Sequence, residues 1–188
     1  MLPRMTAVHY TRPLLTHWCR QFELPVPLVE AMIQVESGGN TYAHRIEPGY
    51  RYLWDVRRNQ AFRLSAAEAR AKLPPKTFPA PRGLGLTAES EFIAQQTSWG
   101  LMQLMGANAR SLGFTGPLPE LTEASKGLEF GCRFLRQYAD RYLRRSGWAG
   151  VTDAYNDGNA AIEYEHDYPH KLAAVSAEAA SILELPHV

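Results

Sequence analysis

Apolar residues recur three or four positions apart over most of this chain, and that spacing limits its folding more than any composition figure. Residues 6–22 carry Leu14, Leu15, Trp18 and Phe22 on one helical face. Pro13 should kink or shorten that element. Leu24-Pro-Val-Pro27 then breaks the chain, and Pro27 suits the first turn of a second helix. That helix carries Leu28, Val29, Met32, Ile33 and Val35, with Gly38 and Gly39 as its stop. Helices are expected from Thr87 through Gln96 and from about Gly100 to Leu112. Thr122 opens the longest helix, whose stripe is Leu128, Cys132, Leu135, Tyr138 and Tyr142. A short helix near 149–155 follows. A last one starts at Pro169 and carries Leu172, Val175, Ala179 and Ile182.

One tract breaks the pattern. Residues 41–86 begin with an aromatic and arginine-rich stretch holding two turn signals, which suits a short hairpin. Tyr50, Tyr52 and Trp54 alternate, so a strand there would place them on one face. Ser65-Ala-Ala-Glu68 is a capping-box pattern opening a helix through about Leu73. The run from Leu73 to Gly85 holds four prolines and must be an extended loop. Such a loop inside a compact domain is usually functional or mobile. The expected architecture is one all-α domain with room for a small β-hairpin and an irregular insertion at 41–96.

Composition narrows the function classes. With 188 residues, 45% hydrophobic and 21% charged, the chain can bury a core. A net charge of +1 argues against a protein that binds nucleic acid by neutralising phosphates. No apolar run reaches membrane-spanning length, so no membrane insertion is expected. His9, Arg12 and His17 interrupt the N-terminus, so no secretory signal is expected either. Cys19 and Cys132 form no CxxC pair and read as buried free thiols, with one disulfide as the alternative. His44, His166 and His170 are scattered, so no metal or cofactor is proposed.

Glu36 is the first residue whose placement suggests chemistry. Val29, Ile33 and Glu36 are spaced as one helical face, with the glutamate at the C-terminal end. Partial burial and the negative end of the helix both disfavour a charged carboxylate there. A neutral glutamate near pH 7 is what a general acid requires. The same position equally fits an exposed carboxylate at a frayed helix end. Two later stretches bear on the choice: Trp99 to Phe114, holding Met102 and Gln103, and Ala154 to Ala161, holding Tyr155 and Asn156. A phenol and amides suit sugar hydroxyls and N-acetyl groups. Each residue could instead be packing.

In this order, Glu36-Ser37-Gly38, Gly100-Leu101-Met102-Gln103 and Ala154-Tyr155-Asn156 with Gly158 resemble the motifs of the soluble lytic transglycosylase family. Tyr168, three residues after Glu165, matches that family's fourth element. The resemblance covers roughly residues 24–40 and 97–175. It implies a goose-type lysozyme-like, α-rich fold and no cofactor. The departures are a long spacer between Glu36 and Gln103, Thr97-Ser98-Trp99 before Gly100, and Gly106 in place of a common proline.

The resemblance implies cleavage of the β-1,4 bond between N-acetylmuramic acid (MurNAc) and N-acetylglucosamine (GlcNAc) in peptidoglycan, with a 1,6-anhydro product. Glu36 would be the catalytic acid and base. Ser37, Met102, Gln103, Tyr155, Asn156 and Tyr168 would bind substrate or support the glutamate. One carboxyl suffices because the sugar supplies an intramolecular nucleophile. A hydrolase would need a second acid, about 5–9.5 Å away depending on mechanism. Asp55, Asp153 and Asp157 are the candidates. The alternatives are therefore a hydrolytic goose-type-like lysozyme and a non-catalytic glycan-binding module of a virion or secretion machine. Without an export signal, such an enzyme would be made in the cytoplasm and delivered to the wall by a phage particle, holin or secretion machine. A phage or prophage origin is expected on that ground.

Overall fold

The computed structural model describes residues 10–71, 73–158, 160 and 168–185. The chain is α-rich: eight helices and two small antiparallel sheets occur among the described residues. Its contacts cluster into two compact units, one formed by the chain up to Gly39 with the chain from Gly131 onward, the other by Asn40–Phe130.

The first unit is helical. Helix α1, Arg12–Gln21, begins later than its apolar pattern suggests. Pro13 falls in its first turn, where a missing N–H costs no intrahelical bond, so proline starts this helix rather than kinking it. Thr11 caps it, its side chain accepting from the Leu14 N–H. Residues 6–9 of the expected helix lie outside the described residues. Helix α2, Val26–Ser37, has proline in its first turn and ends at Gly38, which adopts the left-handed conformation with φ 60°. Leu28, Val29, Met32 and Ile33 are buried. Helix α2 packs against α1, α7 and α8.

Helix α6 spans Ala124–Asp157 but breaks at Gly147, where φ is 58° and ψ is −171°. This resolves it into the expected long helix and a shorter one after the break. Leu128, Cys132, Leu135 and Tyr142 are buried as their spacing required. The expected final helix is two helices, α7 (Tyr168–Val175) and α8 (Ala177–Leu183). Ser176 divides them by capping α8, its Oγ accepting from Ala179 N–H at 3.1 Å. Consequently Val175 is exposed, while Leu172 and Ala179 are fully buried.

The second unit holds every strand found among the described residues. Strand β2 (Tyr52–Asp55) pairs antiparallel with β3 (Gln60–Arg63), the hairpin expected in the insertion. Leu53 is buried while Tyr52 is half exposed, so Tyr52 and Trp54 share the outer face. Tyr50 precedes the strand and donates its hydroxyl to Asn108 Oδ1 at 3.2 Å. The Ser65–Glu68 capping box forms as read, but its helix α3 spans only Ala66–Ala69. Leu53, Leu64, Ala69, Phe78, Phe92 and Ala107 form one buried apolar cluster around the hairpin. Helix α4, Ala88–Gln95, is tied to the hairpin by Gln95, whose amide bonds both the N–H and the carbonyl of Trp54. Gln96 donates to the Tyr50 and Ala69 carbonyls.

Residues 97–112 do not form the single helix expected from about Gly100. Strand β4 (Thr97–Trp99) pairs with β1 (His44–Ile46) on one side and β5 (Leu104–Met105) on the other. Helix α5 begins only at Gly106 and ends at Ser111. Apolar spacing alone could not distinguish a helix here from a tight hairpin between short strands. A 3-10 turn, Leu118–Thr122, precedes α6.

Candidate active site

In the first unit, Glu36 occupies the last turn of α2 and is half-buried. The left-handed Gly38 closes the helix with an N–H bond to the Gln34 carbonyl at 3.1 Å. This sharp stop places the carboxylate at a helix C-terminus with no frayed turn beyond it. Ser37, beside it, donates its hydroxyl back to the Ile33 carbonyl at 3.1 Å. That bond anchors Ser37 to its own helix.

Two phenols lie within the electrostatic reach of Glu36. Tyr168 opens α7 and is 3% exposed. Burial raises its pKa well above the usual phenol value, and the Glu36 charge and a hydrogen-bonding approach to that carboxylate raise it further. The hydroxyl is buried and closes no geometrically complete hydrogen bond. Tyr155 lies near the end of α6, partly buried, with its ring 5.4 Å from that of Phe134. Its pKa is also raised well above the usual value, by burial first and then by the Glu36 charge, Cys132 and Tyr138. Both phenols therefore stay protonated at neutral pH, so each can donate to an anionic oxygen without repelling it and can exchange hydrogen bonds with a sugar hydroxyl.

Asn156 is exposed at the helix end, donating to its neighbour Asp157 at 2.6 Å. The cysteines are free and fully buried. A hydrogen bond with Cys19 is the largest influence raising the Cys132 thiol pKa, with burial next. Glu165 and His166 lie outside the described residues.

The Gly-Leu-Met-Gln stretch lies in the second unit and forms the turn joining β4 to β5. Gly100 has φ 70°, and a Cβ there would run into the Leu121 carbonyl oxygen, so only glycine fits. Its N–H donates to the Ala43 carbonyl at 2.7 Å. Gln103 has φ 46°, an uncommon left-handed state for a residue with a side chain. Its amide nitrogen donates to the Ala43 and Gly100 carbonyls, and its oxygen accepts from Ser98 Oγ at 2.9 Å. Both amide protons are thus committed to backbone. Met102 is 1% exposed, and Leu101 is equally buried. Gly106 stands against the Ala94 carbonyl and the Leu118 side chain, which leaves no room for a Cβ.

The three acids weighed as partners for Glu36 differ in setting. Asp55 is buried, and its Oδ1 accepts the N–H groups of Arg57 and Arg58 at 2.9 and 3.0 Å, so it shapes the hairpin turn. Asp157 is exposed and bonded to Asn156. Asp153 is 3% exposed in the helix after the break.

Sequence reasoning did not single out Ser98, which holds the Gln103 amide oxygen, or Tyr138, whose pKa is raised chiefly by burial. By spacing, Tyr138 belongs to an apolar stripe, and Ser98 is only a departure before Gly100. Glu36, Tyr155 and Tyr168 are brought together; Met102 and Gln103 serve the turn of the second unit.

No group of three or more His, Cys, Asp or Glu among the described residues could hold a metal ion, and none of their helices is long and apolar enough to cross a membrane. No curated protein sequence and no solved structure gave a significant match. The family model of the transglycosylase SLT domain matches residues 13–174, which takes in Glu36, the Gly100 turn, Tyr155 and Tyr168. The chain belongs to the transglycosylase SLT domain family, whose members act on peptidoglycan.

Proposed function

We propose that this chain cuts the MurNAc-β-1,4-GlcNAc bond of peptidoglycan as a lytic transglycosylase, with Glu36 as its one catalytic carboxyl. The observation that carries the reading is the half-buried Glu36 at a helix C-terminus, acting electrostatically on two protonated phenols. Glu36 starts as the neutral acid, a form favoured by partial burial and by the negative helix end. It gives its proton to the glycosidic oxygen as the bond from that oxygen to the muramoyl C1 breaks. The resulting carboxylate then takes the proton of the muramoyl 6-hydroxyl, whose oxygen bonds to C1 and closes the 1,6-anhydro ring. Water is not consumed, and Glu36 ends protonated.

The intramolecular hydroxyl arrives pre-positioned, which removes the need for a second carboxylate to activate water. The settings of Asp55 and Asp157 support this reading, since one is committed to a turn and the other is exposed and bonded to its neighbour. Tyr168 positions Glu36 and donates to it once it is anionic. Tyr155 and Asn156 donate to substrate oxygens. Gln103, Met102 and Ser37 act by holding backbone, through the bonds and burial described above. Glu36→Gln tests the assignment: wild type should clear purified peptidoglycan sacculi, and the folded variant should lose at least about 100-fold in rate, at the lower end of general acid–base contributions. Equal clearing by the two proteins would remove Glu36 from the chemistry.

A further inference from the structure

The β2–β3 turn, the proline-rich loop of the insertion and the chain from Arg110 to Thr115 line an open cavity of about 350 Å³. That is near the lower end of ligand pockets, roughly 300–1,000 Å³. Trp54 forms one wall. Its indole N–H donates to Asn59 Oδ1 at 3.2 Å, which fixes the plane of the ring. Phe114 and Pro81 add apolar surface. The loop is not loose at this point. Phe78 anchors it in the core, with rings of Phe62 and Phe92 at 5.3 and 5.5 Å. Arg57 Nε donates to the Ala80 carbonyl at 3.0 Å.

Charge is the informative property. Three arginines line the cavity: Arg57, Arg82 and Arg110. Arg110 is neutralised by a buried two-point pair with Glu91. Arg57 and Arg82 are exposed, and neither forms an ion pair among the described residues. The nearby carboxylate Asp55 is buried under the turn and faces Arg58 at 3.9 Å. Among the described residues, no carboxylate lines the cavity. Two unneutralised guanidinium groups beside a fixed indole suit a ligand that joins a carboxylate to a small apolar body.

Resting on the peptidoglycan reading above, we propose that this cavity binds the peptide stem of the substrate by a free carboxylate. Arg57 and Arg82 take the carboxylate, and the Trp54 face and Pro81 take the short side chains next to it. The insertion then selects peptide-bearing strands over bare glycan, a task separate from cleavage.

The test uses the synthetic tripeptide L-Ala-γ-D-Glu-meso-diaminopimelate and its fully amidated analogue. Binding to the full chain is followed by calorimetry and by the NMR shift of the Trp54 indole N–H. The free acid should bind at millimolar or better affinity, weaken as salt rises, and outcompete the amide at least tenfold. Arg57→Gln/Arg82→Gln should lose that binding, and so should the exposed single change Arg82→Glu, which leaves the Arg57–Ala80 tether in place. Both variants should still cleave peptide-free glycan at the wild-type rate. No binding at millimolar tripeptide, equal binding of acid and amide, or undiminished binding by Arg82→Glu would overturn the proposal. Peptide binding needs no turnover. Binding without anhydro products would sink the cleavage mechanism alone, and anhydro products without peptide binding would sink the pocket alone.

Discussion

Glu91 and Arg110 give the most quantitative test of how the second unit is held. Both side chains are essentially inaccessible, at 0% and 2% exposure. Arg110 Nε and Nη2 donate to the two Glu91 oxygens at 2.7 and 2.8 Å. Its Nη1 donates to the Phe114 and Gly116 carbonyls, both at 2.8 Å. Removing one member of such a buried pair strands the other charge and costs about 3–5 kcal/mol. Glu91→Leu should fall in that range, with some further loss because Gln95 Nε2 also donates to Glu91. Arg110→Met should cost more, since it strands the carboxylate and also two carbonyls, of which the buried one alone is worth about 1–3 kcal/mol. The double variant removes both charges and leaves the two carbonyls and the Gln95 amide proton that had bonded Glu91. It should therefore cost about 1–3 kcal/mol, less than either single change. Urea unfolding followed by far-ultraviolet circular dichroism measures all three. A total stability of about 5–15 kcal/mol leaves the cycle measurable at low temperature. A double variant as unstable as the sum of its singles, or a Glu91→Leu loss below about 1 kcal/mol, would refute the claim that this pair is coupled and dry.

Three further outcomes are expected. Tyr155 and Tyr168 keep their protons above the ordinary pKa of 10.0, at which the unfolded chain ionises. Below pH 10 neither state gains; above it the unfolded chain is favoured, and stability falls by up to about 1.4 kcal/mol per pH unit per phenol. Urea midpoints of Tyr155→Phe/Tyr168→Phe should fall less steeply than wild type between pH 9.5 and about 11, and parallel slopes would contradict the assignment. Gly100→Ala adds a left-handed penalty of about 1–2 kcal/mol to a backbone clash, whereas Gly83→Ala, in open space at φ 80°, carries the penalty alone. Gly100→Ala should be the more destabilised of the two in urea. Finally, the buried thiols of Cys19 and Cys132 should stay unreactive toward a disulfide reagent in the native chain, and both should titrate in denaturant. Rapid native labelling would show that the pair is reachable.

Much of the helical frame was legible because burial there follows a period that side chains alone set. Leu128, Cys132 and Leu135 announce their face without help from the rest of the chain. Local capping chemistry was equally readable at Ser65-Glu68 and at Gly38, where a side chain or a glycine decides the backbone. The Gly100 turn was not. Its short flanking strands have too few residues to show alternation, and the pairing of the first of them, Thr97–Trp99, with His44–Ile46 is set more than 50 residues away. The division of the last helix depends on one serine that looks unremarkable in a helical pattern. For the site, the position of Glu36 was readable, but not the company it keeps. Tyr155 and Tyr168 come from distant segments, and only packing brings their phenols to the glutamate. Gln103 was visible as a motif residue, yet its commitment to backbone carbonyls could only be found from the folded turn.

The central claim is that Glu36 works as the single catalytic carboxyl with the sugar as its own nucleophile. Mass spectrometry of peptidoglycan digested by the wild-type chain tests it most directly. The account predicts new muropeptides ending in 1,6-anhydroMurNAc, absent from the Glu36→Gln digest. Reducing-end muropeptides, each heavier by one water and without anhydro products, would contradict it and place a second, water-activating acid in the site.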